Sequence, residues 1–147
     1  MKITEALLAE HVVFHNLFDY VERTTPKLRT VGEIRALAGM LDAMLEAHGQ
    51  IEDKLVMDPL HHCLDQLGQN ESIYAEHEHI ETALVQVRSC RNLQQAKNLL
   101  ISAVISSRQH FDREERIIFP LAEKWLKSKT LQTLGSEWVA MRKQVMG

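Results

Sequence analysis

His110 is followed four residues later by Glu114, in the run His110-Phe-Asp-Arg-Glu114-Glu115 that continues to Ile117-Ile-Phe-Pro120-Leu121. On an α-helix that spacing stacks an imidazole and a carboxylate about one turn apart on the same face, where both reach one bound cation. The run has an echo. His48-Gly-Gln-Ile-Glu52 repeats the pair 62 residues earlier, and Lys54-Leu-Val-Met-Asp-Pro59-Leu60 answers Arg116-Ile-Ile-Phe-Pro120-Leu121. A second echo, offset by 66, relates Ala9-Glu10-His11 to Ala75-Glu76-His77. The chain therefore reads as two helix pairs, each with one histidine on its first member and His-x-x-x-Glu on its second. The offsets differ by four because the first half carries the longer connection between its helices.

Random placement of 8 His and 14 Glu in 147 positions yields about 0.8 His-x-x-x-Glu pairs, and three occur, at 48/52, 77/81 and 110/114. A single inward histidine is most often a hydrogen-bonded core residue, and an exposed His/Glu pair is an ordinary solvated contact. Here the pairs fall on the inward stripes of three helices, in phase, where unpartnered polar groups cost several kcal/mol. A cation supplies the missing partner. Imidazole and carboxylate donors without thiolate suit iron, manganese or zinc, and facing i, i+4 pairs can hold two ions bridged by carboxylates. Zinc more often settles for four ligands, and the residues by themselves leave iron, manganese and zinc open. The expected metal ligands are His11, His48, Glu52, His77, His110 and Glu114, with Glu52 and Glu114 placed by symmetry to bridge. His15 and Glu81, one turn beyond the first histidine of each half, are possible additional ligands.

The elements that must carry these residues are all helical. Leu7, His11, Phe14, Phe18 and Val21 form the inward stripe of a first helix at about 4–24. Thr30 with Glu33 is a capping box opening a second helix, whose stripe is Leu37, Leu41, Met44, His48, Ile51 and Leu55. Gly49, beside His48, suggests a close helix approach. Pro59 is expected to end or kink this helix, with a short helical piece, 60–67, leading to Gly68. A third helix at about 70–90 presents Ile73, His77, Ile80, Leu84 and Val87. Asn92 with Gln95 caps a fourth that runs to Phe119 and stops at Pro120, with Leu100, Val104, Ser107, His110, Glu114 and Ile117 inward. A last amphipathic piece, 131–145, interrupted at Gly135 and carrying Trp138, Val139 and Met141, is expected across the end of the bundle. No segment has the period of a strand, so the fold class is all-α.

With 147 residues, 45% of them hydrophobic and 25% charged, the chain makes one domain with a self-sufficient core. The formal net charge of −3, with Lys and Arg dispersed, provides no basic stripe for nucleic acid. Charges interrupt the apolar residues of the N-terminus, and no segment has the length of a membrane span, so neither a signal peptide nor a membrane anchor is expected. Two cysteines, Cys63 and Cys90, point to free thiols in a reducing cytoplasm. His61-His62-Cys63 lacks a fourth ligand nearby and reads as a solvated turn. His79 faces away from the core.

The order H…H-x-x-x-E…H…H-x-x-x-E, carried by residues 11–114, resembles the ligand string of the hemerythrin-like, or HHE cation-binding, domain family. His110 to Leu121 resembles its most recurrent local phrase. The resemblance, covering about residues 4–121, implies an up-down-up-down four-helix bundle around a non-haem centre of two iron ions, bridged by oxo or hydroxo and carboxylate groups. Carried over, His11, His48, His77 and His110 are terminal imidazoles, and Glu52 and Glu114 are bridges. The partner implied is O₂, NO or a related small ligand, which the protein would sense, store or buffer. The alternatives are a di-iron enzyme acting on peroxide or NO, which needs an electron source, and a metal-responsive regulatory module. The chain departs from the oxygen carriers of the family. Those have two histidines on the third helix and a longer His-to-Asp spacing on the fourth, where this chain has His77 with Glu81 and His110 with Glu114.

Overall fold

The computed structural model describes residues 1–146, with side chains through Gln144. Gly147, the last residue of the expected domain, lies outside the described residues. The described residues contain five helices and no strand. Helix α1 spans Ile3–Thr24 and is followed by a 3₁₀ turn, Thr25–Lys27, with Pro26 in its first turn. The α2 rod comprises Val31–Glu52, a π-helical turn Asp53–Met57 and Asp58–Gln66. Its N-terminus has the expected capping box: the Glu33 amide donates to Thr30 Oγ1 (3.1 Å) and the Thr30 amide to Glu33 Oε1 (3.1 Å). Gly68, at φ 68°, takes the left-handed conformation that closes α2, and its amide donates to the Asp65 carbonyl. Helix α3 is Asn70–Ser89. Asn92 caps the α4 rod by accepting from the Gln95 amide (2.9 Å), and the rod comprises Leu93–Arg113, a second π turn Glu114–Ile118 and Phe119–Trp125. Helix α5 is Ser128–Met146. Contacts between α1 and α2 (His11 with His48), α2 and α3 (Asp42 with Arg88, Arg35 with Cys90) and α3 and α4 (His77 with His110, Gln69 with Arg113) make successive helices antiparallel, as in an up-down-up-down bundle. No helix among the described residues is long and apolar enough to cross a membrane.

Neither Pro59 nor Pro120 ends its helix. Pro lacks the N–H for an α-helical bond, and its ring clashes with the carbonyl four residues back. Both rods avoid the clash by widening the preceding turn: the Asp58 amide bonds to the Asp53 carbonyl and the Phe119 amide to the Glu114 carbonyl, each five residues back. The extra residue per turn changes the phase of the inward stripe. Ile118, fully buried, takes the core position expected of Ile117, which is 45% exposed. Met44 is likewise turned outward, and Leu45 packs on the core beside Leu41 and His48. Cys63 and Cys90 are free thiols, while His61, His62 and His79 are exposed.

The apolar interior forms two clusters. One includes Phe14, Phe18, Leu41, Leu84, Leu100 and Phe111; the other includes Ile3, Leu7, Leu55, Leu60, Ile118 and Phe119. On every bundle helix the expected histidine stands where the stripe passes from one cluster to the other. The polar side chains therefore form a single layer between two dry blocks.

Helix α5 lies alongside the N-terminal half of α1 rather than across the end of the bundle: Gly135 meets Met1, and Arg142 meets Glu10. Leu131, Leu134, Trp138 and Met141 pack into the second apolar cluster. Gly135 does not interrupt the helix. It permits contact, because a Cβ there would lie 2.0 Å from the Met1 carbonyl oxygen. Gly135→Ala is expected to cost about 1–3 kcal/mol through forced separation of α5 from the N-terminus, measurable by urea unfolding; an unchanged midpoint would contradict this contact. Gly49, by contrast, has no atom within 4 Å of its Cβ position and marks no close approach. It borders a cleft.

Candidate metal centre

The six expected ligands converge from four helices. Nε2 of His11 on α1 lies 3.3 Å from Nε2 of His48 on α2, and Nε2 of His77 on α3 lies 2.8 Å from Nε2 of His110 on α4. Glu114 Oε1 is 3.5 Å from His11 Nε2 and 3.4 Å from His110 Nε2, so it spans the two pairs. Glu52 Oε2 is 3.3 Å from His48 and 3.9 Å from His11. The donor atoms divide into two groups, each compact enough for one cation: His11, His48, Glu52 and Glu114, and Glu52, His77 and His110. Glu52 is common to both.

The donor set fits a cation on a second count. Glu52 Oε2, both carboxylate oxygens of Glu114 and His11 Nδ1 are buried without a hydrogen-bond partner. Leaving such atoms dry and unpaired is costly, and two buried carboxylates side by side compound the cost. One or two cations among them satisfy the oxygens.

Glu10 and Glu76, which sequence reasoning did not single out, orient two of the imidazoles. Glu10 Oε1 accepts from His48 Nδ1 (2.8 Å), and Glu76 Oε2 accepts from His110 Nδ1 (2.6 Å). Each directs Nε2 of its histidine to the centre, as carboxylate–histidine pairs do in metal sites. The signal was present in the repeated Ala-Glu-His triplet: each Glu precedes a histidine of its own helix and orients the histidine of the next. Arg113 grips Glu76 (2.5 Å) and Arg142 grips Glu10 (2.6 Å). Burial raises both carboxyls, but the hydrogen bonds to His48 and His110, followed by these arginines, outweigh it and hold both below the usual range.

The two oriented histidines differ in charge preference. Burial lowers both, but at His48 the neighbouring carboxylates of Glu10 and Glu52 outweigh it, raising its pKa to about 9. At His110 burial and the adjacent His77 prevail over Glu76, and the value falls. Glu52, despite burial, is held at about 2 by the facing His11 and His48. A folded-state pKa raised from 6.5 to about 9 stabilises the metal-free protein fully below about pH 6.5, and that stability is lost as pH rises through 9. The metal-free chain should therefore lose up to about 3 kcal/mol between pH 6.5 and 9.5, as read from urea unfolding in the presence of chelator. A flat profile would contradict the His48–carboxylate pairing.

His15 and Glu81 do not join the cluster. His15 sits at the edge of α1, with Nε2 3.5 Å from Glu115 and Nδ1 3.3 Å from Arg108. Glu81 is exposed at the mouth of a cleft of about 370 Å³ between α2 and α3, which reaches Glu52, His77 and His110 past Gly49 and Ile80. His48 also lines this cleft, and Phe14 stands edge-on to its ring at 5.3 Å. His11, fully buried, is covered by Phe111, stacked face to face on its ring at 3.9 Å.

The model of the hemerythrin HHE cation binding domain matches residues 2–122. The chain belongs to that family. Its cation-binding character agrees with the His/Glu groups in the polar layer. No curated protein and no solved structure matches the chain. The matched hemerythrin segment takes in α1 to α3 and α4 as far as Ala122, and ends before α5 begins.

Proposed function

We propose that this hemerythrin-family domain holds two iron ions in the polar layer and binds O₂, NO or a related small molecule there, to sense, store or buffer it. The observation that carries the reading is the division of six donor side chains into two compact groups sharing Glu52, with carboxylate oxygens that are buried and unpaired. His11 and His48 would hold one ion and His77 and His110 the other, with Glu52 and Glu114 between them. Six imidazole and carboxylate donors exceed the four with which zinc more often settles, which favours iron. A pair of ferrous ions supplies the electrons that a diatomic ligand such as O₂ accepts.

The chain's own residues account for the rest. The cleft beside Gly49 would admit a small molecule to the layer at His48, Glu52, His77 and His110, while Phe111 covers the His11 ring. Glu10 and Glu76 keep Nδ1 of their histidines occupied, so that Nε2 remains the ligating atom. His15 and Glu81 stand off the cluster, which would leave an external ligand room to bind. The test is metal analysis of protein reconstituted with Fe(II) without oxygen, followed by optical spectra before and after O₂ or NO. Two irons per chain and a new visible absorption on exposure are expected; less than one iron per chain would overturn the reading.

A further inference from the structure

We infer that Arg142 and Trp138 of α5 are positioning residues for the His11–His48 side of the layer, so that docking of the C-terminal helix and occupancy of that side are coupled. The inference rests on the reading of the layer as a metal centre. Glu10 is the joint. One of its oxygens accepts from His48 Nδ1, and the same carboxylate is gripped from α5: Arg142 Nε donates to Oε2 (2.8 Å), Arg142 Nη2 reaches Oε1 (2.7 Å) and Oε2 (2.6 Å), and Trp138 Nε1 donates to Oε2 (2.9 Å). A bidentate guanidinium with an indole N–H leaves this carboxylate little freedom.

The other half of the repeat shows why α5 is needed. There Glu76 is held by Arg113, which lies on α4 within the bundle, one residue before Glu114. The repeat position equivalent to Arg113, 62 residues earlier, is Ile51, an apolar core residue. The first half therefore has no arginine of its own for Glu10. Arg142, beyond the matched family segment, supplies it. Leu131, Trp138 and Met141 seat α5 on the second apolar cluster, and Gly135 rests against the Met1 backbone, so the guanidinium is delivered by a packed helix. If a docked α5 tightens metal binding by some factor, a bound metal tightens the docking of α5 by the same factor.

The test uses the full chain carrying Trp125→Phe, which leaves Trp138 the sole indole, and Zn(II) and Co(II) as probes. Wild type should bind two ions. Arg142→Met and Glu10→Gln should weaken one of them ten- to a hundredfold and spare the other, while Arg142→Lys, which keeps the charge but not the fork, should fall between. Zn(II) should also shift Trp138 emission to the blue and slow amide exchange in α5, and Glu10→Gln should abolish both responses even if Arg142→Met fails to dock its helix. Unchanged affinities for both ions in Glu10→Gln and in a folded Arg142→Met, or α5 exchange indifferent to Zn(II) in wild type, would overturn the inference while leaving the metal centre standing. Failure of the wild-type chain to bind either probe would overturn both.

Discussion

Glu52→Ala is expected to reduce the metal content from the proposed two ions per chain to one or none, the largest effect of any single substitution in the layer. Glu52 alone belongs to both donor groups, is 1% exposed, and carries an oxygen with no other partner. Each group loses a donor at once, and the two imidazole pairs lose one of the two carboxylates that lie between them. Outer residues that merely orient ligands are worth about 10–100-fold in affinity, so removal of a shared ligand should exceed 100-fold. Isothermal titration with Fe(II) under argon measures the affinity, and elemental analysis the stoichiometry. Glu52→Gln, which keeps the volume and one oxygen, should retain more metal than Ala. Two ions held at wild-type affinity by Glu52→Ala would show that Glu114 alone spans the pairs. In the metal-free protein the same substitution also removes one of the two carboxylates that raise His48, whose pKa should drop from about 9.

Phe111→Ala is expected to give the largest stability change. The ring is 2% exposed, stacks on His11 at 3.9 Å with 3° between planes, and stands edge-on to Phe14 at 5.4 Å. It joins the first apolar cluster to the polar layer and also lines the cleft. Truncation of a buried Phe costs about 3–5 kcal/mol through lost transfer energy and the cavity left behind. For a domain of this size that corresponds to a fall in melting temperature of roughly 6–20 °C. The measurement belongs on the metal-free protein, so that loss of metal does not enter. The cavity would also extend the cleft to the buried His11 ring, so a loaded variant should lose metal to chelator faster than wild type. A melting temperature within 2 °C of wild type would show that the neighbouring rings close the gap.

Helix periodicity and the caps at Thr30 and Asn92 were legible because they depend on residues a few positions apart. The polar layer was legible for a related reason: His48/Glu52 and His110/Glu114 are one turn apart on stripes otherwise filled by Leu, Ile and Phe, and the echo at an offset of 62 put both on equivalent faces. The prolines misled. A missing N–H argues locally for a helix end, whereas Leu60 and Leu64 beyond Pro59, and Ala122 beyond Pro120, have buried places in the second cluster. Packing of those side chains favours one widened turn over termination, and the changed phase exchanged Ile117 for Ile118. The two glycines were ambiguous for want of a neighbour. Gly49 faces a cleft and Gly135 a backbone, and nothing within either helix distinguishes them.

By itself the sequence determined that the chain is helical, that two similar halves pair, and that six imidazoles and carboxylates face one interior, because each of these follows from spacing along single helices. Tertiary structure decided what depends on which helices touch. It made Glu52 common to two donor groups, sent Glu10 and Glu76 to the histidines of neighbouring helices, and left His15 and Glu81 at the margin. It also brought Arg142, 132 residues distant in sequence, onto Glu10. A hydrogen bond between helices leaves no periodic trace in either one, so no reading of a single strip of sequence could have contained it.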